Sequence, residues 1–215
     1  MSPTPILILP GYADSEPGHW QSHWEHNDPA CRRVVQNDWL EPRLEDWLAT
    51  IDRYIRECAS PPVLAAHSLS CALVAHWAAR SRGLAEHFEE RHGFAGARRA
   101  LGGLGGHLGA PQARKTASAP VKGALLVAPA DVDSRAHTPD EVRSFRPMPL
   151  ARLPFPSIVV ASTDDPFVTP ARAAAFAQAW GSRLVTLTNA AHVNADAGFG
   201  PWLEGRKLLA DLLKS

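Results

Sequence analysis

The stretch Ala65-Ala66-His67-Ser68-Leu69-Ser70-Cys71 decides how the rest of the sequence is interpreted. It follows an apolar run, Pro61-Pro62-Val63-Leu64, that is typical of a buried parallel strand, and it precedes Ala72–Ala79, which is rich in helix-forming residues. A serine between small residues at a strand-to-helix turn predicts a nucleophile elbow, in which Ser68 Oγ projects above the sheet. A serine that only caps the following helix is the alternative that this segment alone leaves open.

Composition narrows the class of protein. The chain has 215 residues, of which 45% are hydrophobic and 20% charged, and this fits a single globular domain over residues 1–215. Its 22 basic and 22 acidic residues give no overall charge that would attract nucleic acid or a membrane surface. Its cysteines are widely spaced and fit neither a disulfide framework nor a zinc site. Because no secretory leader or long apolar run is present, we expect a cytoplasmic protein.

Short apolar runs alternate with helical patterns along the chain. This alternation predicts an α/β fold with about six mostly parallel strands and helices on both faces of the sheet. The predicted strands lie at 6–9, 32–35, 61–64, 123–128, 157–161 and 183–187. The predicted helices lie at 19–26, 43–58, 72–79, 170–180 and 203–213.

The stretch 83–120 interrupts this alternation. It is rich in glycine, alanine and arginine and lacks a sustained apolar face, so we interpret it as a partly mobile insertion with one short helix. Its basic charge is typical of a solvated loop, and attraction of an acidic partner is the alternative. A second connection, 131–156, is short, and it predicts a small or rudimentary cap over the site.

Candidate catalytic residues follow the predicted strands. Ligands of parallel sheets bind beyond the carboxyl ends of the strands, and this edge collects Gly11-Tyr12, Ser68, Asp131, Asp165 and His192. A hydrolytic serine needs a base to take its proton and a carboxylate to orient that base. His192 follows the last strand, and the pair Asp164-Asp165 follows the strand before it. The resulting chain order of serine, acid and histidine is the order found in α/β-hydrolases.

Short motifs spread along nearly the whole chain, outside 83–120, share a further pattern. They are Pro10-Gly11, Gly18-His19-Trp20, Trp24-Glu25, Asp38-Trp39, Ala66-His67-Ser68-Leu69, Ala128-Pro129-Ala130-Asp131-Val132, Phe155-Pro156-Ser157, Ala161-Ser162-Thr163-Asp164-Asp165-Pro166 and Gly200-Pro201-Trp202. Together they resemble the compact serine hydrolases related to retinoblastoma-binding protein 9, within the α/β-hydrolase superfamily. The resemblance implies a single α/β-hydrolase domain with strand order 2-1-3-4-5-6.

The resemblance also implies which residues carry the chemistry. It implies a catalytic triad of Ser68, Asp165 and His192. We prefer Asp165 to Asp164 because the usual superfamily spacing, Asp-x-x-Val, fits Asp165-Pro166-Phe167-Val168. It further implies an oxyanion hole formed by two backbone N–H groups, those of Tyr12 and Leu69. No metal or organic cofactor is expected.

Other histidines are given structural roles. His19, His23 and His26 share one face of a predicted helix, but no carboxylate or cysteine pattern beside them supports a metal site. We therefore predict packing or surface roles for them. His67, just before the nucleophile, is expected to point into the neighbouring packing.

Ser70 departs from the family pattern, which has glycine at this position of the elbow. We expect the Ser70 side chain to be merely tolerated, so that Ser70→Gly leaves turnover equal or higher. The alternative is that its hydroxyl caps the helix or braces the oxyanion loop, and then the same change would lower activity.

The sequence thus predicts a carboxylesterase-like serine hydrolase (EC 3.1) that cleaves an ester, thioester or amide of a small-molecule acyl substrate through an acyl-enzyme. A protein-binding module on a hydrolase scaffold, with weak or no catalysis, is the alternative. A protein partner is possible but not indicated, because the Leu-x-Cys-x-Glu peptide associated with retinoblastoma binding is absent. A nucleotide-binding domain is a third interpretation, and the missing phosphate-loop pattern counts against it.

Overall fold

A six-stranded sheet forms the centre of the molecule. The structure is a computed structural model that describes residues 3–92 and 120–214, with no description of the side chains of 82–92. Its strands are β1 (Ile6–Leu9), β2 (Cys31–Arg33), β3 (Val63–His67), β4 (Gly123–Val127), β5 (Ser157–Ser162) and β6 (Arg183–Leu187). They lie in the order β2-β1-β3-β4-β5-β6, and every pairing within the described residues is parallel. The predicted strand order is confirmed.

The described residues form five α-helices, four of which lie between strands while the fifth follows β6. They are α1 (Trp20–Asn27), α2 (Leu44–Glu57), α3 (Leu69–His92), α4 (Pro170–Trp180) and α5 (Leu203–Lys214). Helix α4 shows how local chemistry sets such boundaries. The Thr169 side chain caps its first turn by accepting from the Arg172 amide, Pro170 is its first residue, and Gly181 ends it with a left-handed φ of 69°.

The core lies in two layers, one on each face of the sheet. Alternate strand residues point to opposite faces, so Leu7 and Leu9 of β1 pack with α2, α3 and α4, whereas Ile6 and Ile8 pack with α1 and α5. The four central strands, β1, β3, β4 and β5, are therefore buried on both faces, as is usual when crossover helices cover a parallel sheet. The edge strand β6 is mostly exposed. The carboxyl edge of the strands, where the connecting loops leave the sheet, stays available for a site.

Some predicted boundaries differ from the structure. Strand β3 begins at Val63, after the two prolines, and extends to His67, because its later residues pair with β4 as far as Val127. Strand β2 covers Cys31–Arg33 rather than 32–35. Helix α3 is longer than predicted and continues to His92, into the proposed insertion. Residues 93–119 of that insertion lie outside the described residues, so its interpretation stays a prediction.

The connection between β4 and β5 forms a small cover over the carboxyl edge of the sheet. It contains a short 3₁₀ helix, Asp140–Phe145, in which Val142 and Phe145 are buried. Arg143, in this 3₁₀ helix, donates to the carbonyl oxygens of Val132 and Thr138. These bonds tie the helix to the residues that precede it in the same connection. None of the helices in the described ranges is long and apolar enough to cross a bilayer.

Candidate active site

Ser68 occupies a strained turn between β3 and α3. Strand β3 ends at His67 and α3 begins at Leu69, which leaves Ser68 alone between them with a left-handed φ of 55°. A non-glycine residue is rarely found in this conformation, and it persists only where the surroundings enforce it. Here the Ser68 amide donates to the carbonyl oxygen of Val127 at 3.0 Å. The predicted elbow geometry is therefore present, and it presents Ser68 above the carboxyl edge of the sheet.

A continuous hydrogen-bond chain joins Ser68, His192 and Asp165. His192 Nε2 lies 2.9 Å from Ser68 Oγ, and His192 Nδ1 lies 2.9 Å and 3.0 Å from the two carboxyl oxygens of Asp165. Because a carboxylate only accepts, the imidazole proton sits on Nδ1, and Nε2 is free to accept from the serine hydroxyl. The Asp165 side chain is fully shielded from solvent. This arrangement suits proton transfer from Ser68 to His192.

The neighbouring carboxylate, Asp164, makes different contacts. Its Oδ1 accepts from Ser162 Oγ at 2.6 Å and from the Ala191 amide at 2.8 Å. The hydrogen bond from Ser162 holds the pKa of Asp164 below its ordinary value. Asp164 thus braces the backbone of the loop that carries His192, whereas Asp165 contacts the imidazole itself.

The loop that carries His192 is itself strained and firmly anchored. Asn189, Ala191 and Val193 have φ values of 51°, 41° and 50°. Ser162 Oγ accepts from the amide of Ala190 at 2.9 Å, and Trp20 Nε1 donates to the carbonyl oxygen of Val193 at 3.1 Å. These contacts, together with that of Asp164, hold the loop in a conformation that its residues would otherwise rarely adopt.

The loop after β1 supplies the other side of the site. Its Gly11 lies so close to the elbow that an added Cβ would meet Ser68 Cβ at 2.8 Å and the His67 carbonyl oxygen at 3.1 Å. Tyr12 and Leu69 both line the cavity in front of Ser68. Within 3–92 and 120–214, the backbone N–H groups of these two residues have no hydrogen-bond acceptor. They are therefore available to a developing oxyanion.

The contacts of Ser70 favour the alternative to simple tolerance, in which its hydroxyl braces the oxyanion loop. The side chain is fully buried, and its Oγ donates to the carbonyl oxygen of Pro10 at 2.5 Å. Pro10 immediately precedes Gly11, so the hydroxyl ties the start of α3 to the loop after β1. The structure favours the bracing alternative, because the Ser70 hydroxyl has a hydrogen-bond acceptor in the carbonyl oxygen of Pro10. A glycine at this position has no hydroxyl to make that bond.

Ser70→Gly is therefore expected to lower both activity and stability. Loss of the buried hydrogen bond and the added freedom of the unfolded chain together cost about 1–2.5 kcal/mol of unfolding free energy. A looser oxyanion loop is expected to lower kcat about tenfold. Ester kinetics and thermal unfolding check both effects, with Ser70→Ala as the variant that removes the hydroxyl but keeps Cβ. A glycine variant with wild-type kcat and melting temperature would contradict the brace.

A cavity of about 320 Å³ opens in front of Ser68. Its apolar wall combines residues of the oxyanion loop, the elbow and the small cover, and its polar lining includes imidazoles and an amide. The lining residues are Tyr12, Ala13, Asp14, Glu16, His19, His67, Ser68, Leu69, Ala130, Thr138, Pro139, Val142, Phe167, His192 and Asn194. Phe167 packs against the His192 ring with centroids 4.4 Å apart. The site is thus small, mostly apolar and half-enclosed.

One residue grouped at the carboxyl edge takes no part in this arrangement. Asp131 is buried and accepts from Arg172 at 3.2 Å, away from Ser68, so its role is structural.

His19 has a structural role at the start of α1, where its Nδ1 caps the helix by accepting from the Gln21 amide. Burial lowers the pKa of His19 to about 3, and His192 and Arg33 have smaller effects in the same direction. In the described part of the chain, no three His, Cys, Asp or Glu side chains form a group that could hold a metal.

Sequence reasoning missed several residues of the cavity wall. Thr138, Pro139 and Val142 come from the cover, which carries no strand end to mark it. Phe167 and Asn194 each lie two residues after a predicted triad member, Asp165 and His192. This short separation along the chain was the signal that could have placed them at the site. Side chains that reach the site from a cover depend on how that cover folds back, and local patterns do not specify this.

Comparisons with known proteins find a matching family model and several similar solved structures. A family model described as serine hydrolase matches residues 6–89 and 103–211. No curated protein matches the chain. A solved YdeN-like hydrolase from Pectobacterium atrosepticum is 29% identical, with a TM-score of 0.73 and coverage of 99% of this chain and 91% of that chain.

Two further solved structures are more distant in sequence. The YdeN gene product of B. subtilis is 19% identical, with a TM-score of 0.64 and coverage of 99% of this chain and 100% of that chain. Esterase 2 of Thermogutta terrifontis is 16% identical, with a TM-score of 0.61 and coverage of 98% of this chain and 82% of that chain. At such identities, the likeness shows a shared fold alone.

Proposed function

Because the chain belongs to the serine hydrolase family, we propose that it cleaves a carboxylic ester, thioester or amide through an acyl-enzyme on Ser68. The observation that carries this proposal is the hydrogen-bond chain from Ser68 through His192 to Asp165. A serine that only capped a helix would need neither a base at 2.9 Å nor a fully shielded carboxylate behind that base.

The proposed reaction runs in two halves. In the first, Ser68 Oγ attacks the substrate carbonyl carbon while His192 Nε2 takes the serine proton, and the resulting oxyanion accepts from the N–H groups of Tyr12 and Leu69. The intermediate collapses as His192 returns the proton to the leaving group, which leaves an acyl ester on Ser68. In the second half, His192 Nε2 takes a proton from water, whose oxygen attacks the acyl carbon. As this second intermediate breaks its bond to Ser68 Oγ, His192 returns the proton to that oxygen, which releases the acid and restores the free serine.

Asp165 acts on His192 and not on the substrate. It holds the imidazole in the tautomer that leaves Nε2 unprotonated, and it stabilises the imidazolium formed during each half-reaction. All of these steps use groups of this chain, and we propose no cofactor for them.

The cavity supports a small acyl substrate. Its volume of about 320 Å³ is at the low end of the range of roughly 300–1,000 Å³ for small-molecule sites. Within residues 131–156, the cover contains one short 3₁₀ helix, Asp140–Phe145. The described part of the chain therefore forms no enclosed tunnel for a long acyl chain. We therefore propose a carboxylesterase-like activity (EC 3.1) on short-chain esters.

A series of p-nitrophenyl esters tests this proposal. Each acyl methylene that enters the apolar cavity contributes about 0.8 kcal/mol, so kcat/KM is expected to rise over the shortest chains. It is then expected to fall once the chain outgrows the cavity, so that butyrate exceeds laurate by about tenfold or more. Ser68→Ala supplies the background rate. Rising kcat/KM up to laurate would contradict the short-chain assignment, and a folded protein without any turnover would favour a binding role.

The cellular setting is part of the proposal. All three cysteines, Cys31, Cys58 and Cys71, are free thiols in the structure, as is usual in a reducing compartment. We propose a cytoplasmic enzyme whose partner is its small-molecule substrate, without nucleic acid or membrane partners. A closer kinship with the relatives of retinoblastoma-binding protein 9 is proposed on the sequence motifs alone.

A further inference from the structure

We propose that His67 is a positioning residue, which holds the catalytic histidine in place through the backbone of His192. The inference rests on the proposed hydrolytic function, since it assigns a role within the same site. His67 Nε2 lies 2.9 Å from the carbonyl oxygen of His192, and the two imidazole rings are 4.8 Å apart. A carbonyl oxygen only accepts, so His67 Nε2 carries a proton and donates it to this bond.

His67 is held rigidly enough to serve as an anchor. It is the last residue of β3, where it pairs with Val127 of β4, and it is 5% exposed. Its ring meets the His19 ring in an edge-on contact with centroids 4.7 Å apart. His19 is fixed in turn as the cap of α1. The donor therefore belongs to the sheet and not to a mobile loop.

Its charge state suits the role. Burial, and to a lesser extent the neighbouring His192 and His19, hold the pKa of His67 well below its ordinary value. The ring is then neutral, and it donates a hydrogen bond without placing a positive charge beside the imidazolium that forms on His192 during the reaction.

The loop needs such an anchor at this residue. Ala191 and Val193, the two residues that flank His192, have left-handed φ values of 41° and 50°. Both are L residues that rarely adopt this conformation, so the loop relaxes unless its polar backbone groups are held. Ala191 and Val193 are held by Asp164 and Trp20, and the carbonyl group of His192 itself is held by His67.

His67 also links the two halves of the site in sequence. It immediately precedes Ser68, so the residue that holds the histidine loop belongs to the same turn as the nucleophile. A shift of the loop changes the distance of 2.9 Å between His192 Nε2 and Ser68 Oγ directly. His67 therefore sets the spacing between base and nucleophile without touching the reacting atoms.

Paired substitutions of His67 test this role. His67→Phe keeps a buried ring but removes the donor, and since a displacement near 1 Å costs about 10²-fold, we expect kcat to fall roughly 10- to 100-fold. The KM for a short ester is expected to change less than about threefold, because the carbonyl-binding groups are untouched. His67→Gln places an amide N–H near the position of Nε2 and is expected to restore kcat to within about threefold of wild type.

A matched control separates positioning from general destabilisation. His76 Nε2 likewise donates to a backbone carbonyl oxygen, that of Phe145 at 2.8 Å, outside the triad. His76→Phe removes a comparable bond and is expected to leave kcat near wild type. If His67→Phe does not fold, His67→Leu replaces it. Wild-type kcat in the folded donor-free variant, or a glutamine variant no better than it, would overturn the proposal.

One measurement keeps the two proposals distinguishable. The Nδ1 proton of His192, hydrogen-bonded to Asp165, is expected to give a low-field NMR resonance in the wild-type protein. This resonance should broaden or shift in His67→Phe and return in His67→Gln, whether or not the protein turns over an ester. An inactive wild type would count against the hydrolase function alone, whereas an unchanged resonance in His67→Phe would overturn the positioning role.

Discussion

Asp165→Asn is expected to lower kcat for ester hydrolysis by about 10⁴-fold with the fold intact, because an amide stabilises the wrong imidazole tautomer. Both carboxyl oxygens of Asp165 lie within 3.0 Å of His192 Nδ1, so this side chain determines where the imidazole proton sits. The asparagine NH₂ group would donate toward Nδ1 and move the proton to Nε2. His192 would then be unable to take the proton of Ser68. Steady-state kinetics and the melting temperature of the variant measure the two parts of this expectation.

Asp164→Asn is the matched control for this prediction. The asparagine oxygen can still accept from Ser162 Oγ and the Ala191 amide, so the histidine loop keeps its brace and kcat is expected to fall only a few-fold. A large loss in Asp164→Asn together with a small loss in Asp165→Asn would show that the acid of the triad has been assigned to the wrong member of the pair.

Gly11→Ala is expected to have the second-largest effect. The added Cβ would lie 2.8 Å from Ser68 Cβ, 3.1 Å from the His67 carbonyl oxygen and 3.4 Å from the Leu69 amide nitrogen. Since these neighbours are backbone or nearly backbone atoms of the elbow, the loop must move away from them. That movement displaces the Tyr12 N–H from the oxyanion, and loss of one such donor costs about 10²–10³ in kcat.

Gly18→Ala offers a control in the same loop. Its added Cβ would meet only the Cβ of Ala195, at an ordinary contact distance of 3.5 Å. The Gly18 variant is therefore expected to retain near-wild-type kcat and melting temperature. If Gly11→Ala were equally active, the close approach between the loop and the elbow would have no catalytic consequence.

Elements with strong local signals were predicted well from the sequence. Helix α4 begins and ends at the predicted residues because a capping threonine, a first-turn proline and a left-handed glycine mark its two ends. Strand β6 also has its predicted bounds, since Gly181-Ser182 separates it from that helix. The strand order followed from the resemblance to a known family, which carries information that alternation of helices and strands alone lacks.

Contacts between distant segments account for what the sequence did not reveal. From the sequence, Ser70 was judged by the local rule that a tight elbow favours glycine. In the structure, its hydroxyl donates a hydrogen bond to the carbonyl oxygen of Pro10, in the loop after β1. His67 was assigned to packing because nothing in its neighbourhood points to the carbonyl group of His192. In both cases the partner comes from a loop that only the assembled sheet brings close.

Reaction with a fluorophosphonate probe tests the central claim, that Ser68 is a nucleophile activated by His192, most directly. Treatment of the purified protein, followed by peptide mass spectrometry, is expected to show one phosphonyl group on Ser68. Ser68→Ala is expected to show no adduct, and Asp165→Asn should react far more slowly than wild type because its base is in the wrong tautomer. A folded wild-type protein that stays unlabelled, or that is labelled at another residue, would contradict the account.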